Sequence, residues 1–459
     1  MTDTVAGPVV EVLDPADGSV VGSIPVAGPA AVDLVVRTAR AAAAGWARVP
    51  AAERGARLAA AADRVEAAAD DLALLTTREM GKPLADARGG VLAGVGTLRQ
   101  YAELGPVHRG RSLLGSWDAT DFMVPVPRGV VAAITPWNDP VAVPCGLLGA
   151  ALVTGNTVVF KPSERTPHTG LALVELLAPD LPVEILSGDG TTGAALAAHP
   201  GVDVVAHVGS TAAGRAIARA AAETGAKVIR ENGGCDALLV DDGVDPEWAA
   251  EQAALGCFAN AGQICTSVER VYVHAGIAAE FLAALVRRAG ALVQGPGTDP
   301  ATQLGPLVDR RHRSGVHAAV TEAVGAGATL LCGGVVPDGP GAYYPATVLT
   351  DCSPDLTVMR EETFGPVASV QVVGSFDEGL AAAASSAYGL AASVLTRDMA
   401  HAQRAWRELP VGTVKVNAVF GGAPGGAAQP RGASGDGFGY GPELLDELTA
   451  TKVVHIASG

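Results

Sequence analysis

Three short stretches of this 459-residue chain hold side chains capable of covalent chemistry. In "NAGQICTSVER", Asn260 to Arg270, Cys265 follows a glycine-bearing turn and precedes Thr266 and Ser267. A thiolate is a strong nucleophile, but a lone cysteine is also a common buried structural thiol. In "RENGG", Arg230 to Gly234, Glu231 stands where a strand ends and can serve as a general base; a merely solvated carboxylate is the plainer alternative. In "TPWNDP", Thr135 to Pro140, the Asn138 amide can supply half of an oxyanion hole, or can simply be part of a proline-flanked turn.

Two further stretches suit a phosphate- and ribose-bearing ligand. "HVGSTAAG", His207 to Gly214, follows a strand and opens a helix. Its Gly209, Thr211 and Gly214 make a G-x-T-x-x-G turn, whose exposed N–H groups can hold phosphate; a simple tight turn fits equally. "NTVVFKPSE", Asn156 to Glu164, ends a strand in Lys161 and Glu164, which can bind ribose hydroxyls or stand as a charged strand end in water.

These residues must be held by elements that the hydrophobic pattern predicts. "VVEVLDPADGSVVGSIPVA" reads as a hairpin turning at Asp-Gly. Ala-rich amphipathic stretches follow at Ala30–Ala47 and Ala51–Met80. From Gly129 the chain alternates short apolar runs (Val130–Thr135, Asn156–Lys161, Val183–Leu186, Val202–Val208, Lys227–Arg230, Ala237–Val240) with helices such as His168–Leu177 and Ala212–Glu223. That alternation predicts a doubly wound parallel α/β sheet. The pattern restarts after Asp245 with helices near Pro246–Asn260 and Ala278–Val293 flanking a strand at Arg270–His274, so a second α/β domain follows. "FGGAPGGAAQPRGASGDGFGYG" is too glycine-dense for an element interior and reads as a mobile loop.

Composition narrows the partners. A formal net charge of −16 argues against nucleic acid as the main partner. Six scattered cysteines show no metal or disulfide spacing and suit a reducing compartment, and the nine histidines show no metal spacing either. The start "MTDTVAGPVV" lacks the pattern of a signal peptide. The most apolar run, Val141–Val153, is too short to span a membrane. The expectation is a soluble cytoplasmic protein without a membrane partner or bound metal.

Taken together and in this order, with "EETFGP" at Glu361–Pro366, the motifs are specific. The chain resembles the aldehyde dehydrogenase superfamily over nearly its whole length, through "DPADGSVVG", "TPWN", "GNTVVFKPSE", "GST", "ENGG", "GQICTSVER", "LGPLVD", "EETFGP", "YGLAASVLT", "GTVKVN" and "SGDG". The resemblance implies a Rossmann-like NAD(P)-binding domain (1–110 and 130–230) and an α/β catalytic domain (231–420). It also implies a small hairpin oligomerisation element (111–129 with 440–459) and a Gly-rich substrate loop (421–439), in a homodimer or homotetramer. Cys265 would be the nucleophile, Asn138 the oxyanion donor and Glu231 the base that hydrolyses a thioester. Lys161 and Glu164 would hold the adenosine ribose, Gly209 and Ser210 the pyrophosphate, Trp137 the cofactor's side, Glu362 the nicotinamide ribose, and Phe364 would pack near the ring. A carboxylate at Glu164 favours NAD, with NADP possible if it swings away.

The chain departs from the family pattern near the chemistry. Asp139 stands where an aromatic residue often lines the substrate tunnel, as a helix cap or as a partner for a polar or amino-aldehyde. Gly146 and Leu147 replace a bulky tunnel residue and its neighbouring lysine, and Phe438-Gly439 replaces Arg-Glu. Cys235 occupies a site that is usually lysine. With the family's lysine at position 147 and glutamate at position 439 both gone, Glu231 is expected to reach water by another route, for which Asn232 is a candidate. Asp139, Gly146 and Thr266 are the candidate substrate residues. A CoA-acylating enzyme and a catalytically silent protein of the same fold are the alternatives to a hydrolytic aldehyde dehydrogenase.

Overall fold

Val130–Ile134, Thr157–Lys161 and Val204–Val208 are short runs buried along their whole length, as parallel strands covered on both faces must be. In the computed structural model, which describes residues 8–422 and 429–457, they form the middle of a six-stranded sheet. Its order is Gly435–Asp436, Lys227–Glu231, Val204–Val208, Val130–Ile134, Thr157–Lys161, Val183–Ile185. All neighbours are parallel except Gly435–Asp436, which runs antiparallel to Arg230 and Glu231. Alternate side chains feed two cores: Val131 and Ala133 pack on one face with Leu98 and Leu148, and Val130, Ala132 and Ile134 on the other with Val36 and Ile217.

Chain order reverses between Val130–Ile134 and Val204–Val208. At such a switch point the loops after the strands part and leave a crevice. Here those loops are Thr135–Asn138 and Gly209–Ser210.

A seven-stranded second sheet runs Thr329–Cys332, Thr347–Thr350, Val367–Val373, Val268–His274, Asp236–Val240, Ala391–Leu395, Thr413–Val416, antiparallel only at the first pair. Asp236–Val240, which the alternation groups with the first run of strands, therefore belongs to the second sheet. Glu231 ends one sheet and Asp236 begins the other, so "NGGC" is the bridge between them. The hairpin Val9–Leu13 with Val20–Pro25 forms as its Asp-Gly turn predicts.

Arg111–Leu113, Ala119–Pro127 and Thr449–Ala457 make a separate three-stranded antiparallel sheet, with the C-terminal strand on the edge beside Ala119–Pro127. The glycine-dense segment differs from its expectation. Arg431–Gly432 pairs with Tyr388–Gly389, and Gly435–Asp436 joins the first sheet, so backbone hydrogen bonds tie that part down. Residues 423–428 of the segment lie outside the described residues, as do residues 1–7 and 458–459.

The stretch Ala51–Met80 is two helices, Ala51–Ala67 and Ala69–Met80, with the break at Ala68. A 24-residue helix, Leu84–Val107, lies beyond the sequence-based expectation. Its Gly94 comes so close to the helix Ala142–Val153 that a Cβ would sit 3.1 Å from Cys145 Sγ and 3.3 Å from Ala142 Cα. Among the described residues, no helix is long and apolar enough to cross a membrane.

Candidate active site

The structure brings the three chemical stretches together where the sheets meet. Cys265 lies in a turn between the helical segment ending at Gly262 and the strand Val268–His274. The approach to it is strained: Asn260 (φ 48°) and Ala261 (φ 55°) are left-handed, a conformation non-glycine residues adopt at a cost of about 1 kcal/mol or more each. Hydrogen bonds hold that turn. The Asn260 side chain donates to the Gln263 carbonyl (3.1 Å), the Gln263 side chain donates to the Asn260 carbonyl (3.0 Å), and Val308 N–H donates to Gln263 Oε1 (2.9 Å).

The Cys265 thiol donates to Glu231 Oε1 across 3.6 Å. Burial pushes both groups up, the thiol well above its usual range, and the Glu231 charge pushes the thiol further. Asn138 Nδ2 donates to the Gln263 carbonyl at 3.1 Å, two residues before Cys265, which fixes the amide near that thiol. Half-buried Thr266 adjoins it in the turn.

The two glycines after Asn232 explain themselves by proximity. A Cβ on Gly234 would stand 2.7 Å from the Cys265 carbonyl oxygen and 2.8 Å from Asp236 Oδ1, and one on Gly233 would collide with the Glu362 carboxylate. Gly234 N–H donates to Glu362 Oε1 at 3.0 Å. Burial, reinforced by the neighbouring Glu269, pushes Glu362 up to about 8. Glu269 itself is pushed up to about 7 by burial while accepting from Thr363 N–H (3.1 Å) and Phe364 N–H (3.0 Å). It therefore holds the "EETFGP" loop in place, with Phe364 left-handed at φ 52°.

A cleft of about 690 Å³ runs from Cys265 past Asn138, Trp137, Glu362 and Phe364 to Gly209 and Ser210. It continues into a second hollow of about 490 Å³ lined by Lys161, Glu164, Gly193, Ala213 and Ile217. Ser210 caps the 14-residue helix Thr211–Thr224, its Oγ accepting from Ala213 N–H at 3.3 Å, so that helix start opens on the cleft. A Cβ on Gly209 would sit 2.8 Å from the His207 ring, and one on Gly214 would strike the Asn232 amide. Lys161 Nζ lies 3.9 Å from Glu164 Oε2, and burial lowers the lysine's pKa.

These residues fit a dinucleotide. A small-residue slot suits a flat base, Lys161 and Glu164 suit a ribose, a helix N-terminus suits a pyrophosphate, and the Glu362 carboxylate suits a second ribose. Trp137 forms the wall between the two hollows, edge-to-face with Phe364 (5.4 Å) and His312 (5.7 Å), with the Arg165 guanidinium 5.3 Å over its ring.

Other expected positions lie differently. Asp139 does not cap the following helix; that helix begins at Ala142, and the Asp139 carboxylate pairs with Lys82 Nζ at 3.4 Å. Asn232 donates its Nδ2 to the Ala433 carbonyl (3.0 Å), while its Oδ1 points toward Gly214 without a hydrogen-bond partner among the described residues. Gly146 packs against Tyr440, and Gly439 against Glu231. Leu147 is buried in the core beneath. Sequence reasoning passed over His312, Arg165, Glu269 and Tyr440. His312 and Arg165 carry no spacing signal, whereas the small residue at 146 signals that something else fills its space. Among the described residues no group of three His, Cys, Asp or Glu side chains could hold a metal ion.

A doubly wound sheet whose cleft fits a dinucleotide and ends on a cysteine flanked by an amide and a carboxylate has the make-up of a dinucleotide-dependent oxidoreductase. The sequence model of the aldehyde dehydrogenase family matches residues 2–454, and the chain belongs to that family. It is an NAD(P)-dependent oxidoreductase of aldehydes. It is 37% identical to the 3,6-anhydro-alpha-L-galactose dehydrogenase of Streptomyces coelicolor, over 97% of this chain and 92% of that one. It is 36% identical to the betaine aldehyde dehydrogenase of Cereibacter sphaeroides, over 99% and 95%. Among solved structures, PnpE in complex with nicotinamide adenine dinucleotide matches with a TM-score of 0.96 at 34% identity, over 99% of this chain and 95% of that one. A 3,6-anhydro-L-galactose dehydrogenase in complex with NADP matches at 0.95 and 34%, over 99% and 97%.

Proposed function

We propose that this chain oxidises a polar aldehyde to its carboxylic acid by covalent catalysis at Cys265, with NAD as the main cofactor. The observation that carries the reading is the Cys265 thiol facing the Glu231 carboxylate at 3.6 Å, beside the Asn138 amide. The thiol gives up its proton to solvent water, its sulfur bonds to the aldehyde carbon, and the C=O π electrons move to the oxygen, which becomes an alkoxide. That oxyanion lies between the Asn138 amide and the Cys265 N–H. NAD(P), which Lys161, Glu164, Ser210 and Glu362 would hold in the cleft, would supply the hydride acceptor, and loss of hydride from this carbon would leave an acyl thioester on Cys265. Glu231 takes a proton from an attacking water, the C–S bond breaks, and the acid departs with the thiol restored.

Glu231 beside the sulfur supports hydrolysis rather than transfer to CoA, because a base there serves water. Glu164, at the rim of the adenosine hollow, favours a free 2′-hydroxyl and so NAD. Names of relatives acting on an anhydro-sugar aldehyde and on betaine aldehyde support a polar substrate. We assign the first sheet (1–110 and 130–230) to the cofactor, residues 231–420 to catalysis, and 421–439 to the substrate side. Residues 111–129 with 440–459 pair copies of the chain, since Leu114, Trp117, Val453 and Ile456 stand exposed on that sheet.

The test is NADH formation at 340 nm across an aldehyde panel, with NAD and NADP compared and CoA added in parallel. A wild-type signal that vanishes in Cys265→Ala and ignores CoA is expected. Silence on every aldehyde, with cofactor binding intact, would leave a fold that has kept its cleft without the reaction.

A further inference from the structure

Gly146 sits inside the helix Ala142–Val153, where glycine costs about 1 kcal/mol relative to alanine. Its neighbour explains it. A Cβ at 146 would meet the Tyr440 ring, with Cδ1 and Cζ at 3.1 Å and Cε1 closer still. Tyr440 arrives from the far end of the chain on an anchored segment. Gly435–Asp436 is paired to Arg230 and Glu231, and Tyr101 Oη donates to the Gly441 carbonyl at 3.2 Å. Between these anchors, Gly439 lies so near the base that a Cβ would stand 2.5 Å from Glu231 Oε2. The space beside Gly146 is thus filled by a large side chain that the loop supplies, on a segment that passes beside Glu231. Glu231, Asp139 and Cys265 are all near enough to oppose ionisation of the phenol, which burial already disfavours. The hydroxyl has no hydrogen-bond partner among the described residues.

We infer that Tyr440 is a specificity-determining residue of the aldehyde site, its ring filling the space that Gly146 leaves and its hydroxyl offered to a hydroxyl group on the aldehyde's own carbon chain. This rests on the aldehyde dehydrogenase reading of Cys265 given above and adds the substrate class. A neutral phenol both donates and accepts, as an alcohol does, so the two make a matched pair. A cationic aldehyde is less well served: the carboxylate of Asp139 is already paired with Lys82. Hydroxylated aldehydes are therefore preferred over aminoaldehydes and over their deoxy homologues.

The experiment compares kcat/KM for glyceraldehyde with that for propanal in wild type, Tyr440→Phe, Gly146→Ala and the double variant Gly146→Ala/Tyr440→Leu. Wild type should favour glyceraldehyde, and Tyr440→Phe should lower the glyceraldehyde-to-propanal ratio about tenfold, since a buried polar group discriminates by the partner it loses. Gly146→Ala should lower kcat/KM for propanal by displacing the ring, and Tyr440→Leu in the same chain should recover most of it. An unchanged ratio in Tyr440→Phe, or no recovery in the double variant, overturns the inference while leaving the dehydrogenase reading intact. A wild type that makes NADH from neither these nor any other aldehyde overturns both.

Discussion

Cys265 Sγ and Glu231 Oε1 stand 3.6 Å apart, with the thiol donating. Both groups are half-buried, and each carries a pKa raised above its ordinary value, chiefly by desolvation. The Glu231 negative charge holds the proton on the sulfur, whereas in the proposed reaction the same carboxylate takes a proton from water.

Glu231→Gln separates the two effects. Without the charge, the thiol pKa falls, so alkylation of Cys265 by iodoacetamide at pH 7 should be faster than in wild type and its pH midpoint lower. Turnover should nevertheless fall about 10²- to 10⁴-fold, the usual contribution of a general base. A thioester should accumulate, visible as an NADH burst followed by slow steady turnover. Slower alkylation in the variant would mean that Glu231 helps form the thiolate instead.

Asn138 tests the oxyanion site. Its amide is fixed by the Gln263 carbonyl and buried, so truncation leaves the cleft in place but removes a donor. Asn138→Ala should cost about 10²- to 10³-fold in kcat, with KM moved far less, because the bond strengthens only as charge develops on the oxygen. A loss confined to KM would make Asn138 a substrate-binding residue only.

How far these positions were legible depends on the kind of signal each one left. Glu231 ends the strand Lys227–Glu231, Asn138 follows Val130–Ile134 and Cys265 precedes Val268–His274, all strands plain in the sequence, and strand ends are where a parallel sheet exposes its loops. The helix Leu84–Val107 was not legible, because Gly89, Gly90, Gly94 and Gly96 lower its helix propensity while Gly94 exists to admit the neighbouring helix. Nothing marks Ala68 as the break between two helices. Asp139 before Pro140 has the look of a cap, yet its partner is Lys82, more than fifty residues away and joined to it only by the fold. Tyr440 and His312 are similar cases: their roles come from tertiary contacts that leave no local pattern.

Glu362 links pH to the cofactor. Its carboxyl is pushed up to about 8, so in the free protein it is mostly protonated at pH 7. The ionised form accepts with both oxygens and makes the stronger, charge-assisted hydrogen bonds to ribose hydroxyls. NAD affinity should therefore rise as pH passes from about 6.5 to 9, on the order of tenfold for one unit's worth of differential interaction. Titration of NAD binding by intrinsic tryptophan quenching should show this rise in wild type and a flat profile in Glu362→Gln. Parallel slopes in the two proteins would place the titrating group elsewhere.

His207 predicts an acid limit on stability. It is buried on the strand Val204–Val208 beside Gly209, neither ring nitrogen has a hydrogen-bond partner among the described residues, and burial pushes it down to about 4. The unfolded chain, with an ordinary value of 6.5, binds a proton in the window between these values that the folded chain refuses. Stability from this group is therefore present above pH 6.5 and is lost as pH falls toward 4. Between pH 7 and 5 the loss should be about 2 kcal/mol, given about 1.4 kcal/mol per pKa unit. Urea unfolding of the cofactor-free protein at both pH values should show that extra loss in wild type relative to His207→Gln, whose side chain does not titrate. Equal losses in the two proteins would mean that the folded His207 takes up its proton as readily as the unfolded one.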